Sequence, residues 1–182
     1  TLSIEEINKQ LAESKNQNKN LEELSIAFFA NYTLDILEPF LSVEFAKHGY
    51  KTSNYYSLYG KIEEDILTST SQIYSKNYDV FFIHLLFEDI FPNFETEMLN
   101  LNEANIRKRL SDFEKYLTNL LNNIRANTDA LVYISNLFSQ LSDHHHMLDQ
   151  TISLSKSEII YRFNRIIKDV ISSHPSIFIY NF

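Results

Sequence analysis

Two features of the sequence predict an α/β fold of the doubly wound type. Short apolar runs, typical of strands buried on both faces, alternate with segments of ten or more residues whose apolar side chains recur at helical spacing. Hydrophobic residues make up 44% of the 182 residues, which is enough for one sizeable core. Because this alternation is typical of repeated β-α-β units, we predict a three-layer fold around a five-stranded parallel sheet in the flavodoxin-like order 2-1-3-4-5.

The first half of the chain is predicted to hold two strands and two helices. Residues 25–30 form a continuous apolar run that suits a buried strand, and residues 34–48 follow as a helix that Gly49 ends. Residues 50–56 are less apolar, so we place this second strand nearer a sheet edge. Residues 60–75 carry apolar side chains at helical spacing and predict the next helix.

The second half of the chain repeats the pattern. Its predicted elements, in order, are a strand over 79–87, a helix over 103–127, a strand over 131–135, a helix over 155–172 and a strand over 176–180. The first of these strands is the strongest strand pattern in the chain, and the first helix is the longest. Ser155 and Glu158 have the spacing of a capping box, which predicts where the last helix begins.

Two regions are predicted along the chain. Residues 1–20 comprise a short amphipathic helix followed by a polar linker, and residues 21–182 comprise the α/β domain. Two residues follow the fifth strand, without the loop and helix that this kind of sheet leads us to expect there. We therefore expect the domain to be truncated at its C-terminus and the chain to be a piece of a longer protein.

Composition argues against several classes of function. The formal net charge of −8 makes nucleic acid a poor partner. The chain has no cysteine, which removes disulfides and thiolate chemistry, and its two glycines do not form a phosphate-binding loop. It carries no signal-peptide pattern and no apolar run long enough for a bilayer, so we expect a cytoplasmic protein that does not bind membranes.

Polar residues follow the predicted strands at the edge where parallel strands end. They are Asn31 and Thr33 after the first strand, Glu88 and Asp89 after the third, and Asn136 after the fourth. Open parallel sheets bind ligands at this edge, where the strand order reverses, so we predict that these five residues contact a ligand. The alternative is that they cap the helices that follow them.

Other patterns suggest further sites. The run His144–His146 suggests a metal, but adjacent residues point in different directions and lack the usual ligand spacing, so no metal site is predicted. His84 lies within an apolar strand, and we interpret it as a hydrogen-bonded core histidine. Four tyrosines within residues 50–59 could stack on a sugar or a base, although a partly exposed edge strand is the simpler interpretation.

Several segments share their order and spacing with a known family. Residues 27–35, Ala-Phe-Phe-Ala-Asn-Tyr-Thr-Leu-Asp, form an apolar strand that ends in polar residues and leads into a helix. Four later segments continue the match: 74–92, 132–136, 161–166 and 174–175. Together they resemble FkbH-like proteins, and the resemblance covers residues 24–182.

FkbH-like proteins join an N-terminal domain similar to SGNH hydrolases to a C-terminal phosphatase-like domain of the haloacid dehalogenase superfamily, subfamily IIIC type. The resemblance implies a role in polyketide or surface-polysaccharide biosynthesis. There, a glyceryl unit from a phosphoglycerate-type donor is loaded onto an acyl or peptidyl carrier protein. The sequence matches the N-terminal domain and lacks the Asp-x-Asp motif of the phosphatase-like domain. Magnesium is therefore expected only in that other domain, and no cofactor is expected in this chain.

The catalytic residues of SGNH hydrolases carry over only in part. The nucleophile loop falls on residues 31–33, where Thr33 is a weak candidate for the catalytic role of the expected serine. The oxyanion-hole asparagine would fall near Glu88 and Asp89, where no asparagine stands, and the Asp-x-x-His block would follow the fifth strand, where the sequence ends. We therefore expect a non-hydrolytic domain that docks substrate or carrier protein. The alternatives are a divergent esterase or acyltransferase that uses Thr33, and a binding module for a sugar or small metabolite.

Overall fold

The computed structural model describes residues 21–97, 100–138 and 154–181, together with Glu6 and Lys9. The strands are β1 (Glu22–Ala30), β2 (Tyr50–Tyr56), β3 (Val80–His84), β4 (Leu131–Ser135) and β5 (Ile177–Tyr180). They form one all-parallel sheet in the order β2-β1-β3-β4-β5, with helices on both sides. The predicted fold class and strand order are confirmed, and β2 lies at a sheet edge as predicted.

The helices alternate with these strands. They are α1 (Glu38–Lys47), α2 (Ile62–Leu67), α3 (Gln72–Ser75), α4 (Phe87–Ile90), α5 (Phe94–Glu97), α6 (Glu103–Asn127) and α7 (Lys156–Ile171). A 3₁₀ turn, Asp35–Leu37, precedes α1. The predicted bounds of β2, α6 and β4 are confirmed, and Ser155 caps α7 by accepting a hydrogen bond from the Glu158 N–H at 3.1 Å. Apart from Glu6 and Lys9, the predicted N-terminal helix and linker lie outside the described residues.

Two predicted elements are wrong in extent. The helix predicted over 60–75 is divided into α2 and α3, because Thr68 has an extended backbone and its carbonyl accepts from the Ser71 N–H in a turn. Serine and threonine side chains compete for nearby backbone groups and so favour turns over helix. The strand predicted over 79–87 ends at His84, and α4 follows it.

The chain divides into two compact units, an amino-terminal unit of residues 1–82 and a carboxyl-terminal unit of residues 83–182. In the amino-terminal unit, β1 supplies the centre of the core, with residues 26–30 buried. β1 pairs with β2 in parallel, from Glu22 opposite Tyr50 to Phe28 opposite Tyr56. The rings of Phe28 and Tyr56 stack with centroids 5.1 Å apart, so the strand ends are packed against each other.

In the carboxyl-terminal unit, α6 and α7 pack together and bury the apolar stripes that their helical spacing predicted. Five phenylalanines form an aromatic cluster whose neighbouring ring centroids lie between 5.1 and 6.1 Å apart: Phe87, Phe91, Phe94, Phe113 and Phe163. The cluster packs the short helices α4 and α5 against the two long ones. Within the described ranges, no helix is long and apolar enough to cross a membrane.

Candidate functional site

Asn31, the first predicted ligand contact, follows β1 and holds a neighbouring turn. Its side-chain oxygen accepts a hydrogen bond from the Gly60 N–H at 3.3 Å. Gly60 has a φ of +70°, the left-handed conformation that glycine adopts most easily, and the turn closes with the Lys61 N–H donating to the Leu58 carbonyl at 3.0 Å. Asn31 therefore connects the loops after β1 and β2, a role different from capping its own helix.

Thr33 lies two residues further on and is exposed. Within the described residues of the amino-terminal unit, its hydroxyl makes no hydrogen bond. A hydroxyl needs a base within hydrogen-bond reach to become a nucleophile. Thr33 precedes the N-terminal end of α1, whereas His48 of the same unit lies at its C-terminal end, where the imidazole is 3.7 Å from the Glu44 carboxylate. No base in the described part of this unit is therefore hydrogen-bonded to the Thr33 hydroxyl.

Polar groups at the end of β2 and in the segment after it form a hydrogen-bonded set around Asp65. Its carboxylate accepts from the Tyr55 hydroxyl at 2.8 Å and from the Ser57 hydroxyl at 2.7 Å. Burial raises the pKa of Tyr55 to about 12, and the hydrogen bond to Asp65 adds to the shift. Both hydroxyls consequently remain protonated donors at neutral pH, and they fix the start of the loop that carries Leu58 and Gly60.

Glu88 and Asp89, predicted after the third strand, lie in the short helix α4. The Glu88 carboxylate oxygen Oε1 lies 4.0 Å from Nζ of Lys156, the first residue of α7, which is buried. The same ammonium lies 6.0 Å and 5.8 Å from the ring centroids of Phe87 and Phe94. A buried ammonium is costly unless an anion compensates it, and the half-buried carboxylate of Glu88 supplies that compensation.

Asn136 follows β4, and its backbone extends the pairing of β4 with β5: its N–H donates to the Tyr180 carbonyl at 3.1 Å. The next residue is held by Asn164 of α7, an asparagine that sequence reasoning missed. The Asn164 side-chain oxygen accepts from the Leu137 N–H at 2.7 Å, and its amide donates to the Leu137 carbonyl at 3.0 Å. The signal was an asparagine four residues after Ile160 and three before Ile167, so that it lies beside apolar side chains of the same helix.

His84 ends β3 and is 3% exposed, as the interpretation of a core histidine requires. Its Nδ1 lies 2.8 Å from the hydroxyl of Tyr180, and its ring meets that of Phe138 edge-on at 5.5 Å. Burial lowers the pKa of His84 to about 4. The imidazole is therefore neutral at pH 7 and pairs with the half-buried Tyr180, and the interpretation of a hydrogen-bonded core histidine is confirmed.

The five predicted contacts fall in different units. Asn31 and Thr33 belong to the amino-terminal unit, whereas Glu88, Asp89 and Asn136 belong to the carboxyl-terminal unit. Across residues 21–97, 100–138 and 154–181, no group of three or more histidine and carboxylate side chains could hold a metal ion. The run of histidines at 144–146 lies outside the described residues. The ligand-binding role of the five residues stays a prediction.

The strand order and the parallel pairing define an α/β domain of the doubly wound class. A solved structure with a similar fold is that of the N-terminal part of the protein BF1531 from Bacteroides fragilis, which contains a phosphatase domain complexed with magnesium. The two structures have a TM-score of 0.72 and 16% sequence identity, over 97% of this chain and 45% of the other. At this identity the similarity shows the fold alone, and the chain spans less than half of that structure. No protein-family model and no curated protein matches the sequence.

Proposed function

We propose that this chain is the N-terminal SGNH-like domain of an FkbH-like protein, and that it docks substrate or carrier protein for a phosphatase-like domain. The observation that carries the proposal is the fold, which matches the N-terminal part of a protein containing a magnesium-bound phosphatase domain over 97% of this chain. The resemblance of residues 24–182 to FkbH-like sequences points the same way. On this proposal, magnesium chemistry belongs to the phosphatase-like domain.

Docking, and not hydrolysis, is favoured by the chemistry at the strand ends. Ester hydrolysis requires a nucleophile, a base that contacts it and donors for the oxyanion. Thr33 is exposed without a hydrogen-bond partner among the described residues of its unit. The Asn31 side chain already accepts a hydrogen bond from the Gly60 N–H. His84 is hydrogen-bonded to the Tyr180 hydroxyl, and burial lowers its pKa to about 4. These residues suit a scaffold better than a catalytic triad.

A cationic stripe on α7 supports a carrier protein as the partner. Tyr161, Arg165 and Lys168 are exposed and recur at positions i, i+4 and i+7, so they share one face of the helix. No ion pair occupies Arg165 or Lys168 within the described part of the chain. An acidic carrier protein needs a basic patch to dock, because complementary charge steers association and fixes its orientation. A phosphoglycerate-derived glyceryl unit is the cargo that this proposal assigns to the carrier.

The test is a titration of the 182-residue chain with a holo acyl carrier protein, followed by amide chemical shifts. We expect salt-sensitive shifts along the exposed face of α7 and a loss of affinity of at least about tenfold when Arg165→Glu and Lys168→Glu are combined. The matched control reverses two lysines of the amino-terminal unit, Lys47→Glu and Lys51→Glu. Equal affinity for the α7 variant and the control, or no shifts at about 1 mM carrier protein, contradicts the proposal.

The absence of hydrolysis is tested separately with a chromogenic acetate ester. We expect wild type and Thr33→Ala to release acetate at the same background rate. Turnover well above background that disappears in Thr33→Ala would replace the docking role with that of a divergent esterase. A parallel titration with 3-phosphoglycerate tests the five predicted contacts, which should shift in the loops after β1, β3 and β4 if the prediction holds.

A further inference from the structure

We propose that the amino-terminal unit carries a docking surface for a cationic amphipathic helix of a partner protein. Five large apolar side chains of this unit are between 43% and 79% exposed: Ile36, Leu37, Phe40, Leu58 and Tyr59. They form two short runs, one at the 3₁₀ turn and the start of α1, the other in the turn after β2. Single exposed apolar residues are ordinary, whereas several grouped together mark an interaction surface. These five residues are the apolar platform.

The segments that carry the two runs of the apolar platform are joined by hydrogen bonds. The Ser57 N–H donates to the Phe28 carbonyl at 2.9 Å, and the Gly60 N–H donates to the Asn31 side chain at 3.3 Å. These two bonds fasten the loop after β2 to the end of β1. Helix α1 packs against β2, and Glu38 in its first turn acts together with burial to raise the pKa of Tyr56 at the end of β2. The end of β2 and the start of α1 are therefore in contact.

The apolar platform is built on fixed backbone, so little conformational entropy is lost when a partner binds. Leu58 and Tyr59 occupy the first two positions of a turn that the Lys61 N–H closes on the Leu58 carbonyl at 3.0 Å. On the other run, the Leu37 N–H donates to the Leu34 carbonyl at 2.9 Å, which closes the turn that presents Ile36. The exposed side chains thus stand on hydrogen-bonded turns.

Charge around the apolar platform selects a cationic partner. Five carboxylates occupy the segments that carry or directly follow it: Asp35, Glu38, Glu63, Glu64 and Asp65. The one lysine among them, Lys61, pairs with Glu64. Residues 21–82 as a whole contain nine acidic residues and four lysines. Anionic membranes, nucleic acids and acidic carrier proteins would be repelled, and so would the same face of a second copy of this chain.

A helix is the partner element that fits this arrangement. An amphipathic helix presents apolar anchors at i, i+3, i+4 and i+7 along one side, which can lie along the two adjacent runs of the platform. Lysine and arginine side chains on its flanks can then pair with exposed carboxylates of these segments, such as Asp35 and Glu63, with their apolar stems against the platform. This surface is separate from the cationic stripe of α7, which suits a partner of opposite charge, so failure of either proposal leaves the other standing.

The probe is a fluorescently labelled amphipathic peptide of about 18 residues, or five helical turns, with leucine and phenylalanine on one face and lysine and arginine on the other. A second peptide replaces each basic residue with glutamate. Fluorescence anisotropy is measured against the full 182-residue chain. We expect saturable binding of the basic peptide that weakens with salt, and no binding of the glutamate peptide.

Substitutions locate the binding surface. Ile36→Ser and Leu58→Ser, both at exposed positions, should each weaken binding of the basic peptide at least about tenfold, whereas Leu131→Ser in the other unit should change it less than about twofold. Circular dichroism and thermal unfolding confirm that all three variants keep the fold. Three outcomes overturn the proposal: equal binding of both peptides, equal weakening by Leu131→Ser, or no binding of the basic peptide at about 1 mM. A dimer of the chain that Ile36→Ser dissociates would assign the platform to a second copy instead.

Discussion

The residues that follow the strands are exposed in the amino-terminal unit and buried in the carboxyl-terminal unit. In the amino-terminal unit, the segments after β1 and β2 expose large apolar side chains on hydrogen-bonded turns, with Ile36 and Leu58 as the clearest cases. In the carboxyl-terminal unit, the residues after β3 and β4 are buried, among them Leu85, Phe87 and Leu137. The same place in the architecture therefore serves as surface in one unit and as core in the other.

The difference teaches that a strand end is not by itself a ligand site. After β3 the chain continues with apolar residues that enter the aromatic cluster, so the polar groups nearby are neutralised or paired: Glu88 with Lys156, and His84 with Tyr180. After β1, the Asn31 side chain holds a turn, and the apolar side chains that follow are exposed to solvent. The first arrangement stabilises the fold, and the second leaves apolar surface available for a partner.

The sharpest test of this contrast is Phe163→Ala on α7. Phe163 is buried, with ring centroids 5.1 Å from Phe113 and 6.1 Å from Phe87. Its truncation leaves a cavity that the surrounding helices cannot fill, so we expect the free energy of unfolding to fall by about 3–5 kcal/mol. Urea denaturation followed by circular dichroism measures this loss.

The matched control for Phe163→Ala is Tyr161→Ala, two residues earlier on the same helix. Tyr161 is 57% exposed, so its truncation should change the free energy of unfolding by less than about 0.5 kcal/mol. Similar losses in the two variants would show that the aromatic cluster is not the centre of the core in the carboxyl-terminal unit.

A second test uses pH and the pair formed by the buried His84 and Tyr180. An unfolded histidine titrates near pH 6.5, whereas burial lowers the pKa of His84 to about 4 in the folded chain. Between these values the unfolded state binds a proton that the folded state does not. Stability is therefore complete above about pH 6.5 and is lost as the pH falls towards 4, by up to about 3 kcal/mol at 1.36 kcal/mol per unit.

His84→Gln removes the titrating group and keeps a polar partner for the Tyr180 hydroxyl. We expect the variant to be less stable at neutral pH and to lose less further stability than wild type between pH 6.5 and 4. His48→Gln is the control, because the side chain of His48 is 71% exposed. The prediction fails if His84→Gln and wild type lose stability in parallel over this range.

Much of the fold could be predicted because its signals are local. The apolar spacing along residues 103–127 and the Ser155 to Glu158 cap depend on neighbours within a few positions, and both are confirmed. The division of the helix predicted over 60–75 could not be foreseen from apolar spacing, because the turn at Thr68 interrupts it without changing that spacing.

The candidate site was harder to predict because its contacts are distant in sequence. Asn31 bonds to a backbone N–H 29 residues away, and Asn164 holds Leu137 from 27 residues away. Nothing local marks these partners. Exposure is equally hard to predict from sequence. Leu58 and Tyr59 are residue types that are often buried, and only the structure of their turn shows that they face solvent. Polar residues at strand ends therefore identified the region without identifying what each residue does.

The smallest expected effect separates two residues of one loop, Asn31 and Thr33. Asn31→Ala leaves the Gly60 N–H without its acceptor, so we expect a loss of about 1 kcal/mol in the free energy of unfolding. The turn after β2 should also loosen locally, and the Gly60 amide should exchange with deuterium faster than in wild type. Thr33→Ala removes an exposed hydroxyl and should change stability by less than about 0.5 kcal/mol, with Gly60 exchange unchanged.

If Gly60 exchanges equally in both variants, Asn31 does not hold the turn, and the apolar platform loses one of the two bonds that fasten its runs together. If only Asn31→Ala accelerates exchange, the same variant should weaken binding of the basic peptide although Asn31 is not part of the platform, because the Leu58 and Tyr59 run would no longer be fixed beside Ile36.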